Sequence, residues 1–198
     1  MPRLNKNRKR WIPLLIPALF LGACASPVHF VDPDADLAYY EVVGVMPLTA
    51  WGDDPVGGYK MTNLFFTELL RSGFAKVAEP GQFAAVSSRI RPGVALDQPW
   101  STADLARLGT EAGVQGLFMG SVRDFRLERE GRDAYPLVSC ELRLVDTATG
   151  RMVWSASKTQ RGGPGFPLLN LGEIQTLGEL GSAVCRELLR TLPEGRTE

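Results

Sequence analysis

Apolar residues recur along most of this chain in two rhythms, one of period two and one near 3.6. Residues 41–48 (Glu-Val-Val-Gly-Val-Met-Pro-Leu) form a β-branched run closed by Pro47, which predicts a first strand. A Gly-rich loop over 51–58 follows. Residues 59–72 then switch to the helical period, with Met61, Leu64, Phe65 and Leu69 on one face and Gly73 as the stop. A short strand is expected over 74–78, closed by Pro80-Gly81, then a helix over 82–90 and a loop over 92–99. Ser101-Thr-Ala-Asp104 has the spacing of a capping box, and the helix it opens, bearing Leu105 and Leu108, ends at Gly113. Residues 114–127 begin with a run, 116–122, apolar enough for burial on both faces. Residues 135–146 alternate cleanly: Val138, Cys140, Leu142 and Leu144 face one way, Ser139, Glu141 and Arg143 the other. Residues 147–150 turn the chain, and 152–158 return as a hairpin partner. Residues 173–192 form an amphipathic helix whose apolar half holds Ile174, Leu177, Leu180, Val184, Cys185 and Leu188.

This order predicts an α/β (α+β) domain over residues 39–193, a single mixed β-sheet flanked by helices. The helix over 59–72 carries more apolar surface than a helix lying on one sheet needs. Phe66 and Leu70 widen its stripe, and two readings follow: burial under the loop of residues 81–99, or contact with another subunit.

The first residues follow neither rhythm. Arg3, Lys6, Arg8, Lys9 and Arg10 precede an apolar stretch over 11–23. A helix of that length rises about 20 Å, short of the ~30 Å hydrocarbon core, and Pro13 and Pro17 interrupt it. Residues 1–23 therefore read as a signal peptide. Leu21-Gly22-Ala23-Cys24 has the form of a bacterial lipobox, which makes Cys24 the lipidated residue of a mature chain. Ala25 and Ser26 follow it, with no Asp of the kind that retains enteric lipoproteins in the inner membrane, so the outer membrane is expected. Residues 24–38 read as lipidated Cys and short linker, with His29 solvated within it, and 194–198 as a polar tail. No homologous repeat or low-complexity tract interrupts the domain.

Charge changes the picture in one respect. The chain has 22 basic and 22 acidic residues, but without the five N-terminal cations 17 basic residues face 22 acidic ones. That balance speaks against a nucleic-acid partner. A single His, at position 29, leaves the domain without imidazole for a nucleophile-base pair or a His-rich metal site. Gly162-Gly-Pro-Gly165 does not open a helix after a strand, and Asp53-Asp54 lacks the alternate spacing of a calcium loop. No catalytic residue, cofactor or metal site is expected. Cys140 and Cys185 both fall on core-facing positions. An oxidising periplasm permits a disulfide between them, with buried free thiols the default.

Residues 43–48, Leu69-Leu-Arg-Ser-Gly-Phe74, the run 113–122, and above all 142–155 (Leu-Arg-Leu-Val-Asp-Thr-Ala-Thr-Gly-Arg-Met-Val-Trp-Ser) resemble the CsgG-type lipoproteins of curli assembly and transport. Relatives of that fold include the lipoprotein activators of penicillin-binding proteins and the lipoprotein of Pel polysaccharide export. The resemblance implies an anticodon-binding-domain-like sheet, no catalysis, and homo-oligomeric rings at the outer membrane. The function expected is a non-enzymatic scaffold in envelope assembly or export, anchored by lipid, facing the periplasm and working with other envelope proteins. It is not expected to be a pore, because residues 124–134 place Arg or Glu on both faces. Two alternatives stand beside it: an activator of peptidoglycan synthases, and a periplasmic ligand-binding module using the loop at 51–58.

Overall fold

The computed structural model describes residues 26–51, 56–95, 98–163 and 174–193. Seven strands form one open mixed sheet, numbered β1 (Val28–Val31), β2 (Val42–Val45), β3 (Thr49–Ala50), β4 (Lys76–Val77), β5 (Gly116–Glu130), β6 (Asp133–Asp146) and β7 (Met152–Arg161). Their order is β1-β7-β6-β5-β2-β4, with β3 pairing β5 further along the edge that β2 leaves. Along β1, β7, β6 and β5 each strand is antiparallel to the next, whereas β2, β3 and β4 run parallel to their partners.

The α-helices among the described residues are α1 (Gly57–Ser72), α2 (Pro80–Ile90), α3 (Thr102–Ala112) and α4 (Leu177–Leu189). They divide between the two faces because the strands alternate. Phe118, Val122, Cys140, Leu142, Leu144 and Trp154 point to one face and bury against Met61, Phe65 and Leu69 of α1 and Leu180, Val184 and Leu188 of α4. Leu117 and Val145 point the other way, into a smaller core with Phe83 and Ile90 of α2 and Leu105 and Leu108 of α3. That second core covers only the end of the sheet where β5 begins. Beyond it Met119, Gly120 and Ser121 are half-buried, so the run 116–122 is doubly covered only in its first part.

Local signals behave as their chemistry requires. Gly73 closes α1 at φ +66°, in the left-handed region where only glycine is unstrained. Ser101 Oγ accepts from the Asp104 amide and donates to its carboxylate, completing the predicted cap of α3. Pro80 does not close the preceding strand but opens α2, at the first-turn position where a missing N–H costs nothing, with Glu79 as cap. α4 begins only at Leu177, capped by Thr176, because Ile174 is drawn into a bridge with Gly163 instead.

The stretch read as a linker over 24–38 is corrected more deeply. Residues 28–31 are edge strand β1, paired from Val28↔Ser157 to Val31↔Trp154, and Leu37 and Tyr40 enter the core. Asp32 and Arg151 form an ion pair that ties the end of β1 to the β6–β7 turn. His29 therefore sits on an edge strand, still exposed.

Candidate functional site

The motif that carries the sequence resemblance turns out to be structural. Asp146, buried at the end of β6, accepts from the amide and hydroxyl of Thr149, both at 2.7 Å, and so fixes the turn into β7. Its other oxygen accepts from the Tyr40 hydroxyl at 3.2 Å. Burial, then the Asp146 charge, pushes the Tyr40 hydroxyl well above its ordinary range. Thr147, also buried, donates to the carbonyls of Val114 and Gln115 at 2.9 and 3.0 Å, locking the start of β5 to the same turn.

Between α1 and α4 lies a second polar group. Glu68 is buried and receives Arg186 Nε and Nη2, each at 3.2 Å, with Arg71 at 3.4 Å. The helices approach closely at Gly181, where a Cβ would stand 2.6 Å from Leu64 Cδ1 and 3.0 Å from Met61 Sδ. Lys158, on β7, pairs with Glu187 of α4. Among the described residues no three His, Cys, Asp or Glu side chains are grouped as a metal site.

Cys140 of β6 and Cys185 of α4 lie in the core as free, buried thiols. Burial, with a lesser part from Glu141, pushes the Cys140 thiol up to about 12, and burial followed by Cys140 itself raises Cys185 well above 9.0. Folding thus favours the neutral thiols. Their contribution is whole below pH 9.0 and is lost as the pH rises through the folded values. Cys140 and Cys185 of the native protein should resist thiol reagents at about pH 8, where an exposed thiol of pKa ~8.5 is partly ionised, and the fold should lose urea resistance progressively in more alkaline solution. Rapid labelling of either of these two residues in the native protein would contradict the burial.

The exposed features are surfaces. Chain N-terminal to Val28 leaves toward the end of the sheet where β7 finishes and the β5–β6 hairpin overhangs, because β1 runs antiparallel to β7. Trp51, which donates its amide to the Val122 carbonyl, stands at that end, two-thirds exposed. It borders a cavity of about 470 Å³ with Phe125 and Leu127 of β5 and Leu177 of α4. On the opposite sheet face a concavity of about 340 Å³ is lined by Ser121, Arg123, Ser139, Glu141, Ser157 and Thr159, beside Val28.

Phe66 is half-buried and Leu70 is exposed. The loop of residues 81–99 cannot bury them, since α2 and α3 occupy the face opposite α1. Of the two readings of that stripe, cover by this loop is therefore excluded. The lipobox residues Leu21, Gly22, Ala23 and Cys24, the tail 194–198, Asp53-Asp54 and Pro164-Gly165 lie outside the described residues. No helix among the described residues is long and apolar enough to cross a membrane.

The arrangement is an open mixed sheet whose buried polar groups hold turns and helix pairs together, and whose remaining features are surfaces. The same fold occurs in the PelC dodecamer of Paraburkholderia phytofirmans, with a TM-score of 0.59 at 17% identity over 87% of this chain and 99% of that one. It occurs also in lipoprotein GNA1162 of Neisseria meningitidis, with a TM-score of 0.51 at 21% identity over 76% and 99%. At these identities the likeness is one of fold. The kinship with the Pel lipoprotein expected from the sequence is met at that level. No family model matches the chain, and no curated protein does.

Proposed function

We propose that this chain is an outer-membrane lipoprotein of CsgG type, facing the periplasm and serving as a non-enzymatic scaffold in envelope assembly or export. The observation that carries the reading is the position of β1. Its first residue, Val28, follows Cys24 by four positions, so a lipid on Cys24 holds the sheet within about 14 Å of the membrane at ~3.6 Å per residue. Such a tether suits work beside the membrane. An activator that must cross the peptidoglycan needs a far longer one. The fold shared with PelC and with a neisserial lipoprotein supports the same class.

The scaffold is not itself a channel. The β5–β6 hairpin is long enough to count as a membrane strand pair, but most of it is the centre of the sheet. Beyond the last β7 pair, at Leu137, only Leu127↔Pro136 to Glu130↔Asp133 overhang. Four residue pairs span about 14 Å at ~3.4 Å each, half of a hydrocarbon core. They carry Glu128, Arg129, Glu130 and Asp133, whose charges oppose insertion.

The anchor is tested by Cys24→Ser. The variant should leave the outer-membrane fraction wholly, since several acyl chains hold a protein that one chain holds only weakly. Retention of the variant in outer membrane would contradict the reading.

A further inference from the structure

β5 loses its cover on one side at a bulge, and the cavity beside Trp51 opens there. β3 accompanies β5 only as far as the pair Ala50↔Val122, and the Trp51 amide donates to the Val122 carbonyl. Beyond that point β5 has no strand partner on this side among the described residues. The register with β6 shifts at the same place, from Val122↔Cys140 to Asp124↔Ser139, so Arg123 is the extra residue of the bulge. A bulge re-aims the side chain it carries. Arg123 is thereby set at the open edge, exposed, where it borders the cavity of about 470 Å³.

The lining of that cavity is mostly apolar. Val122 and Phe125 of β5 and Leu177 of α4 contribute to it, with Leu127 54% and Trp51 67% exposed beside them. Exposed apolar side chains gathered round a concavity mark contact with something apolar. The charged groups are few. Asp124, the single carboxylate among the described lining residues, accepts from Arg126 Nε at 3.0 Å. Arg123 has no ion-pair partner among the described residues, so the charge offered to a ligand is its guanidinium. The Lys60 ammonium stands on the same side, 5.7 Å from the centre of the Phe125 ring. An apolar lining with a few convergent polar groups, within ~300–1,000 Å³, is the ordinary form of a small-molecule site.

We infer that this cavity binds a single-chain amphiphile with an anionic head, the head held by Arg123 and the chain laid along Phe125, Leu127 and Trp51. The planar guanidinium matches a carboxylate or a phosphate through two parallel bonds, and it is less strongly hydrated than an ammonium, which suits pairing beside apolar surface. Other occupants answer only half of the site. A glycan leaves the apolar lining without a partner. An uncharged chain, or the apolar side chain of a protein partner, leaves Arg123 without one. The site goes beyond the scaffold reading and does not rest on it.

The experiment titrates octanoate, octyl phosphate and octanol into the full-length protein held in nanodiscs, with empty nanodiscs titrated alongside to subtract partition into lipid. Calorimetry should show saturable binding of both anions, about tenfold tighter than octanol, as one charge-assisted pair provides. The tighter anion identifies the head group. Arg123→Gln should bring both anions down to the octanol value and leave octanol unchanged, whereas Leu127→Gln should weaken all of them alike. Both positions are exposed, and circular dichroism verifies folding. ω-Bromooctanoate should quench tryptophan emission in the wild type and not in Trp51→Phe. Uptake no greater than that of empty nanodiscs overturns the proposal. So does octanol bound as tightly as the anions, which would mean apolar contact alone. Binding unchanged by Arg123→Gln, or a quench that persists in Trp51→Phe, overturns it equally.

Discussion

Trp154→Ala should destabilise the domain by about 3–5 kcal/mol, the largest loss expected of any single side-chain truncation here. The indole is fully buried on β7 where the sheet meets α4. Its ring stands edge-on to Phe118 at 6.0 Å between centroids, and Phe118 in turn meets Phe65 of α1 at 5.2 Å and Phe74 at 6.0 Å. Truncation therefore removes the ring that joins the helix layer to the centre of the sheet. It also removes the indole Nε1 donor from the Thr191 hydroxyl, 3.1 Å away just past α4, which is left with its bond to the Leu188 carbonyl. Urea unfolding should show a lower midpoint with an unchanged slope, because the surface exposed on unfolding stays nearly the same. A loss under 1 kcal/mol would mean that α4 does not seat on β7 as described.

Arg186→Met should cost about 2–3 kcal/mol, and more than Glu68→Gln. The reason is the unequal burial of the pair. Glu68 is 5% exposed and Arg186 45%, so an abandoned Arg186 can turn to water, whereas Glu68 is left with only the longer contact to Arg71 at 3.4 Å. Removing one partner of a buried pair typically costs ~3–5 kcal/mol, and the half-exposed arginine places this pair below that range. Glu68→Gln keeps one of the two oxygens that accept from Arg186 and loses the other together with the charge assistance, but leaves no buried charge unpaired. The order of the two variants in one urea series is the informative result. Equal losses, or the reverse order, would show that the carboxylate reaches solvent.

What the sequence displays and what it hides have physical causes. β6 was legible residue by residue because from Val138 to Leu144 one of its faces is buried and the other more open, so Val138, Cys140, Leu142 and Leu144 alternate with polar neighbours. α1 was legible because its apolar period ends at a glycine in the left-handed region. β1 was not, since three of its four residues are exposed and prolines flank it at 27 and 33, so neither alternation nor burial marks it. β3 has two residues, too few for any period. The buried Glu68 is visible as an acid among Leu64, Phe65 and Leu69, yet its partner lies 118 positions away on a helix whose docking only the fold supplies. The surplus apolar stripe of Phe66 and Leu70 was plain from periodicity.

The claim on which the account turns is that the domain is held close against a membrane by a lipid on Cys24. Intact-mass analysis of the protein extracted from outer membrane measures this directly. The account predicts a chain that lacks residues 1–23, begins at Cys24 and carries acyl chains on that residue. A membrane-bound chain that retains residues 1–23, or a mature chain that carries no lipid, would contradict it.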